Sequence, residues 1–146
     1  MVHFWFSRPS FPSFPSHLLA TLTATLALAG NAGAAGMLDP AFGTSGRVTV
    51  AATGTASATA RRAAMQSDGK IVVAGSAFNG ANLDFAVLRF FPNGALDETF
   101  GSGGMVLTPV GTGDNHASAV TIQPDGLIVV AGYAMNGTKS DFALAR

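Results

Sequence analysis

Three pairs of acids recur along the chain, Asp39 with Asp97, Asp68 with Asp125 and Asp84 with Asp141, and one cation, Arg89, recurs as Arg146. A ring of such carboxylates is the pattern a metal ion or a sugar would need. Their neighbours point to backbone work instead. Asp68-Gly69 and Asp125-Gly126 are turn dipeptides in which the short carboxylate bonds nearby amides, and Asn79-Gly80 and Asn136-Gly137 carry the same signal. Asp84 and Asp141 open apolar runs, where a similar bond to the backbone is expected. Asp39 and Asp97 each lead into a Phe-Gly corner, with Phe42 and Phe100 expected as buried wedges between sheets. Arg89 and Arg146 either pair with one of these acids inside the fold or present cations to an anionic ligand. Internal pairing is favoured, because a feature built into every unit serves the unit.

That logic moves the search for a ligand site to residues that do not repeat. These are Arg61 and Arg62, which face Ser118 and Ala119 in the other copy, and Asp114-Asn115-His116, which faces Ser57-Ala58-Thr59. The ligand candidates are therefore Arg61, Arg62, Asp114 and His116. His116 has the chemistry of a general base or a metal ligand, with Asp114 to orient it. One histidine makes no zinc site, however, and the partners at i+4 or in a cysteine pair are missing. Gly111-Thr112-Gly113-Asp114 lacks the Lys-Ser/Thr of a phosphate loop, and no serine nucleophile elbow is present. A single Gly-x-Gly-Asp does not make a calcium-binding nonapeptide array. The loop reads as solvated, and the residues point to no catalytic group, metal or cofactor.

The elements that position these residues repeat with a period of about 57. Leu38-Asp39-Pro40-Ala41-Phe42-Gly43 returns as Leu96-Asp97-Glu98-Thr99-Phe100-Gly101, Gln66-Ser67-Asp68-Gly69-Lys70-Ile71-Val72-Val73-Ala74-Gly75 as Gln123-Pro124-Asp125-Gly126-Leu127-Ile128-Val129-Val130-Ala131-Gly132, and Asp84-Phe85-Ala86-Val87-Leu88-Arg89 as Asp141-Phe142-Ala143-Leu144-Ala145-Arg146. The first block shifts by one residue more than the others, so an indel falls in the Gly/Thr/Ala stretch between them and marks an exposed loop. Turn dipeptides, including Asn93-Gly94, divide the first unit into candidate strands at 48–52, 60–66, 70–77 and 84–91. Gly75 and Gly132, just after the apolar runs, permit close approach of a neighbouring backbone.

A lone four-stranded sheet cannot bury both of its faces, and stacking several around an axis is the β-propeller solution. The expected fold is all-β, with tandem four-stranded antiparallel blades of a β-propeller. About two repeats are present, 36–95 and a truncated 96–146, so the array is incomplete and the chain reads as a fragment of a longer protein. A short protein whose copies assemble into a ring is the other account.

Composition agrees with a packed fold: 48% of the 146 residues are hydrophobic, 11% are charged and the formal net charge is zero. The cations are scattered, which argues against a nucleic-acid partner. Cysteine is absent, which excludes disulfides, thiolate metal sites and a cysteine nucleophile. The first 35 residues read as a secretory signal peptide. Their apolar run, 18–29, is shorter than the roughly 20 residues of a membrane-spanning helix, and small residues follow it. Ala32-x-Ala34 fits a signal peptidase, with cleavage after Ala34 or Ala35.

The ordered blocks Leu-Asp-x-x-Phe-Gly-x-x-Gly-x-Val, Gln-x-Asp-Gly-x-Ile-Val-Val-Ala-Gly and Asp-Phe-Ala-x-x-Arg, spanning about 37–146, closely resemble the delta-60 repeat family of bacterial exported proteins. The resemblance implies a β-propeller, export to the periplasm or cell surface, and no assigned catalytic residues. The functional expectation is a non-enzymatic scaffold or binding surface of unknown ligand. Its partners would be further blades of the same array, copies of itself, or a carbohydrate or cell-envelope protein, with no stable membrane span. The competing expectation is a fragment of a propeller-borne hydrolase or lyase whose catalytic residues lie on missing blades.

Overall fold

The computed structural model describes residues 36–51 and 57–146, so the expected signal peptide and its cleavage site lie outside the described residues. Seven strands form: β1 (Ala58–Met65), β2 (Ile71–Phe78), β3 (Leu83–Phe90), β4 (Met105–Thr108), β5 (Asn115–Ile122), β6 (Ile128–Asn136) and β7 (Lys139–Ala145). They make two antiparallel sheets, one ordered β1-β2-β3-β4 and the other β5-β6-β7. The strands expected at 60–66, 70–77 and 84–91 are β1, β2 and β3 to within two residues.

The strand expected at 48–52 is different. No strand forms over 48–51, and the fourth place in the first sheet is taken by β4, the counterpart of this segment one period later. After β3 the chain turns at Asn93-Gly94, rounds the Asp97-to-Phe100 corner and returns beside β3, with Leu88 opposite Met105 and Phe85 opposite Thr108. The first sheet thus runs across the 95/96 division of the sequence period. A period has the same length wherever it is cut, so only strand pairing reveals which residues share a sheet.

One turn design is used three times. In 66–70, 91–95 and 123–127 the amide of Gly69, Gly94 or Gly126 donates to the carbonyl three residues back, at 2.9 Å in each case. The Oδ1 of Asp68, Asn93 or Asp125 then accepts from the amide two residues on, at 3.1, 3.0 and 3.1 Å. Only the glycines have positive φ, +81°, +83° and +84°, which makes each a type I turn closed by a glycine bulge. The aspartate serves as a cap and not as a second left-handed residue. Gly80 and Gly137, also at positive φ, turn the other two hairpins.

Gly75 and Gly132 face identical bulges. The register slips between Ala60 and Arg62 in β1 and between Ala117 and Ala119 in β5. A Cβ on Gly75 would lie 1.8 Å from the Thr59 carbonyl oxygen, and one on Gly132 would lie 2.0 Å from that of His116. Only glycine admits the bulged strand so closely.

The core lies between the sheets. Val72, Ala74, Phe85 and Val87 of the first meet Ala117, Val130, Ala134 and Ala143 of the second, with Phe100, Ile122 and Ile128 packed at the margin. β2 is buried on both faces along much of its length, which explains its unbroken apolar run, Ile71-Val72-Val73-Ala74. Its outward-facing residues look into an apolar cavity of about 660 Å³ that the segment 46–50 and Phe42 partly roof.

Candidate functional site

Two polar clusters bring together Asp97 with Arg89, and Asp84 with Asn79 and Asp114, among the residues that sequence singled out. The first is built at the Phe-Gly corner, where Asp97 is fully buried. Its backbone amide donates to the Arg89 carbonyl at 2.9 Å, which fixes the corner against the end of β3. Its Oδ2 accepts from Arg89 Nε at 2.8 Å and lies 3.4 Å from Lys70 Nζ, while Oδ1 accepts from the Thr99 amide and hydroxyl. The Thr99 hydroxyl bond, with the Arg89 and Lys70 contacts behind it, outweighs the cost of burial and holds the Asp97 carboxyl down at about 2, from an ordinary 3.8. The Arg89 guanidinium lies over the Phe100 ring at 4.5 Å and Lys70 Nζ over Phe91 at 5.5 Å. Arg89 is therefore paired inside the fold, as the repeat logic favours. Arg89 and Thr99 point at one carboxylate sealed from solvent, and Lys70 bridges it to the exposed Asp68 at 3.6 Å, so the cluster orients the corner.

The second cluster seams the two sheets together. Asn115, fully buried at the start of β5, directs its Nδ2 at Asp84 Oδ1 (3.1 Å), the Leu83 carbonyl (3.2 Å) and the Gly113 carbonyl (3.0 Å). Asp84 Oδ2 takes a further bond from Asn79 Nδ2 at 2.7 Å. Asn82 Nδ2 reaches the carbonyls of Thr112 and Gly113, and the Leu83 amide donates to Asp114 Oδ1 at 2.9 Å. Deeper in, the Ala117 amide donates to the buried Ser76 hydroxyl. The hairpin tip of the first sheet is thus tied to loop 111–114 of the second by side chains from both.

The candidates separate on this geometry. Asp114 belongs to the seam and makes no bond to His116, which stacks on Tyr133 with ring centroids 4.8 Å apart. Arg61 and Arg62 are exposed on β1, an edge strand, and Arg61 is the extra residue of its bulge. A charge on a bulged edge also blocks pairing with a foreign strand. Phe42 and Phe100, expected as buried wedges, are only half-buried. Phe100 reaches the core margin, whereas Phe42 packs on Gly94 and the cavity rim. Asn136 Nδ2 donates to Asp141 Oδ2 at 3.2 Å, an exposed copy of the Asn79–Asp84 bond.

Asn115, Lys70 and Thr99 are the residues that sequence reasoning passed over. Asn115 belongs to the polar triplet 114–116, which by sequence reads as solvated loop. Lys70 and Thr99 occupy positions held by Leu127 and Ala41 in the other copy, so the repeat gave no reason to join them to Asp97. Among the described residues no three His, Asp or Glu side chains converge so as to hold a metal ion, and no helix is long and apolar enough to cross a membrane.

A family model described as a domain of unknown function (DUF5122) beta-propeller matches residues 66–100 and 123–146, which hold the turn and strand blocks of both copies and the corner at Asp97. No curated protein and no solved structure matches the chain. With one antiparallel sheet of four strands and another of three, the fold is all-β and comprises incomplete β-propeller blades similar to that domain.

Proposed function

We propose that this chain is an exported, non-enzymatic β-propeller repeat module of the bacterial delta-60 type, acting as a scaffold or binding surface. The observation that carries this reading is the fate of the repeated polar groups. Asp97, Arg89, Asp84 and Asn79 are consumed by one another, and Asp68 and Asp125 cap turns. A catalytic carboxylate needs access to substrate, which the buried Asp84 and Asp97 lack, while the exposed Asp68 and Asp125 are engaged by turn amides. Arg61 and Arg62 remain as exposed cations at a position where the second copy has Ser118 and Ala119. They suit an acidic surface glycan or a cell-envelope component.

The full chain, expressed with its leader and recovered from the periplasmic fraction, is to be applied to an array of acidic and neutral glycans. Retention of acidic glycans, at least about tenfold weaker for Arg61→Ala/Arg62→Ala, is the expected result. Cleavage of array glycans, or binding that ignores both arginines, would overturn the reading. The mass of the recovered chain reports whether cleavage follows Ala34 or Ala35.

A further inference from the structure

The interface between the two sheets has both of its halves duplicated on the outside of the molecule. The second sheet turns Ala117, Ile128, Val130, Ala143 and Ala145 toward the first. Their counterparts one period earlier, Ala60, Ile71, Val73, Ala86 and Leu88, form the outward face of the first sheet and line the 660 Å³ cavity. The first sheet in turn presses Val72, Ala74, Phe85 and Val87 on the second. Their counterparts Val129, Ala131, Phe142 and Leu144 form the outward face of the second sheet, where Phe142 and Leu144 are the most exposed members. Among the described residues neither face carries a second sheet: the first is only partly roofed by 46–50 and Phe42, the second leaves Phe142 and Leu144 open, and apolar faces of this kind mark interaction sites.

The edge strands repeat the same complementarity. β3 is covered by β4, but β7, its counterpart, has no strand on its outer edge among the described residues. The segment 47–50, counterpart of β4, belongs to no strand. Its neighbour Asp39 is exposed, and so is Arg146, counterpart of the Arg89 that Asp97 holds.

We infer that this chain assembles head to tail with copies of itself, the segment 38–50 of one copy pairing with β7 of the next while the outer face of that β7 sheet stacks on the first sheet. β3 and β4 set the register: Phe142 opposite Val50, Ala143 opposite Thr49, Leu144 opposite Val48 and Ala145 opposite Arg47. Asp39 then meets Arg146 as Asp97 meets Arg89. This contact is weaker than its template, since Leu127 stands in place of Lys70 and Ala41 in place of Thr99. The occupant is a second copy because one chain carries both halves, each matched residue for residue by an interface it already makes. Such a heterologous contact closes into a ring when the rotation per step allows it. Propellers close at roughly four to eight blades, so a ring holds about two to four chains. The assembly rests on the repeat geometry and on no ligand.

The chain lacks cysteine, which makes disulfide trapping clean. Full-length Val48→Cys and Leu144→Cys are made as separate proteins, mixed and oxidised with copper-phenanthroline, and Val50→Cys with Leu144→Cys serves as the pair two residues out of register. The in-register pair is expected to form the mixed disulfide at least about tenfold faster, because only it brings the Cα atoms within disulfide reach. Equal rates, or no mixed disulfide, would sink the proposal. Sedimentation velocity gives the second reading. Arg146→Asp is expected to weaken association about tenfold and Asp39→Arg/Arg146→Asp to restore it. A monomer at every concentration overturns the inference. So does an oligomer indifferent to Arg146→Asp and to Phe142→Ala, which would mean a different partner surface; both side chains are exposed, so these variants leave the fold intact.

Discussion

Phe85 and Phe142 stand at the same place in two copies of one unit, each following an aspartate and preceding an alanine, yet the first is 1% exposed and the second 106%. The acids beside them diverge in the same way: Asp84 is buried under Asn115, and Asp141 is exposed with only Asn136 near it. Local conformation does not differ, since both phenylalanines lie on the last strand of an antiparallel hairpin with matching register. The difference is the neighbour. A repeat draws part of its stability from the interface with its neighbour, so equal sequences acquire unequal energies according to what stacks on them.

The largest expected consequence is a contrast between these two aromatics. Phe85→Ala should cost about 3–5 kcal/mol, the usual penalty for emptying a packed aromatic site, whereas Phe142→Ala should stay within about 0.5 kcal/mol. Urea denaturation at the lowest workable protein concentration measures both. Similar losses would mean that Phe142 is covered in the monomer and would break the comparison.

The seam between the sheets sharpens it on a smaller scale. Asn115→Ala removes the donor that Asp84 Oδ1, the Leu83 carbonyl and the Gly113 carbonyl share, and it should destabilise by about 1–3 kcal/mol. Asn136→Ala deletes an exposed bond to Asp141 and should change stability by less than about 0.5 kcal/mol. The same urea titrations apply. An Asn115→Ala loss as small as that of Asn136→Ala would place the sheet–sheet coupling in apolar contact alone.

What could be read from the sequence divides along the same line between local and neighbour-dependent features. Hairpin turns were legible because Asp-Gly and Asn-Gly act within four residues, and the glycines at 75 and 132 were legible because a backbone approach excludes any Cβ. The pairing of Arg89 with an acid followed from its recurrence. The strand frame was not legible, because β4 and the 47–50 segment have the same pattern and only the presence of β3 decides which one becomes a strand. Asn115 was hidden for a related reason: two of its three partners lie 31 and 32 residues away, on another sheet, and its counterpart is Ala58.

The corner at Asp97 gives the smallest and most selective effect. The Asp39 corner has Ala41 where this one has Thr99, so Thr99→Ala removes from Asp97 a hydroxyl bond that the Asp39 corner cannot make. Because folding depresses the Asp97 pKa, the unfolded chain binds more protons between pH 3.8 and about 2, and stability falls with pH across that window. Above 3.8 the contribution is fully present; below about 2 it is gone. The Thr99 hydroxyl bond is the largest cause of the depression, so its removal should move the Asp97 titration up toward 3.8 and narrow the acid-sensitive window. Carboxyl-resolved NMR titration of the folded chain reads the midpoint directly, and urea midpoints between pH 5 and 2 read the linkage. If Thr99→Ala leaves the midpoint unchanged, the Arg89 and Lys70 cations hold the carboxylate by themselves. The corners would then differ through Lys70 against Leu127, a contrast between strands and not between corner residues.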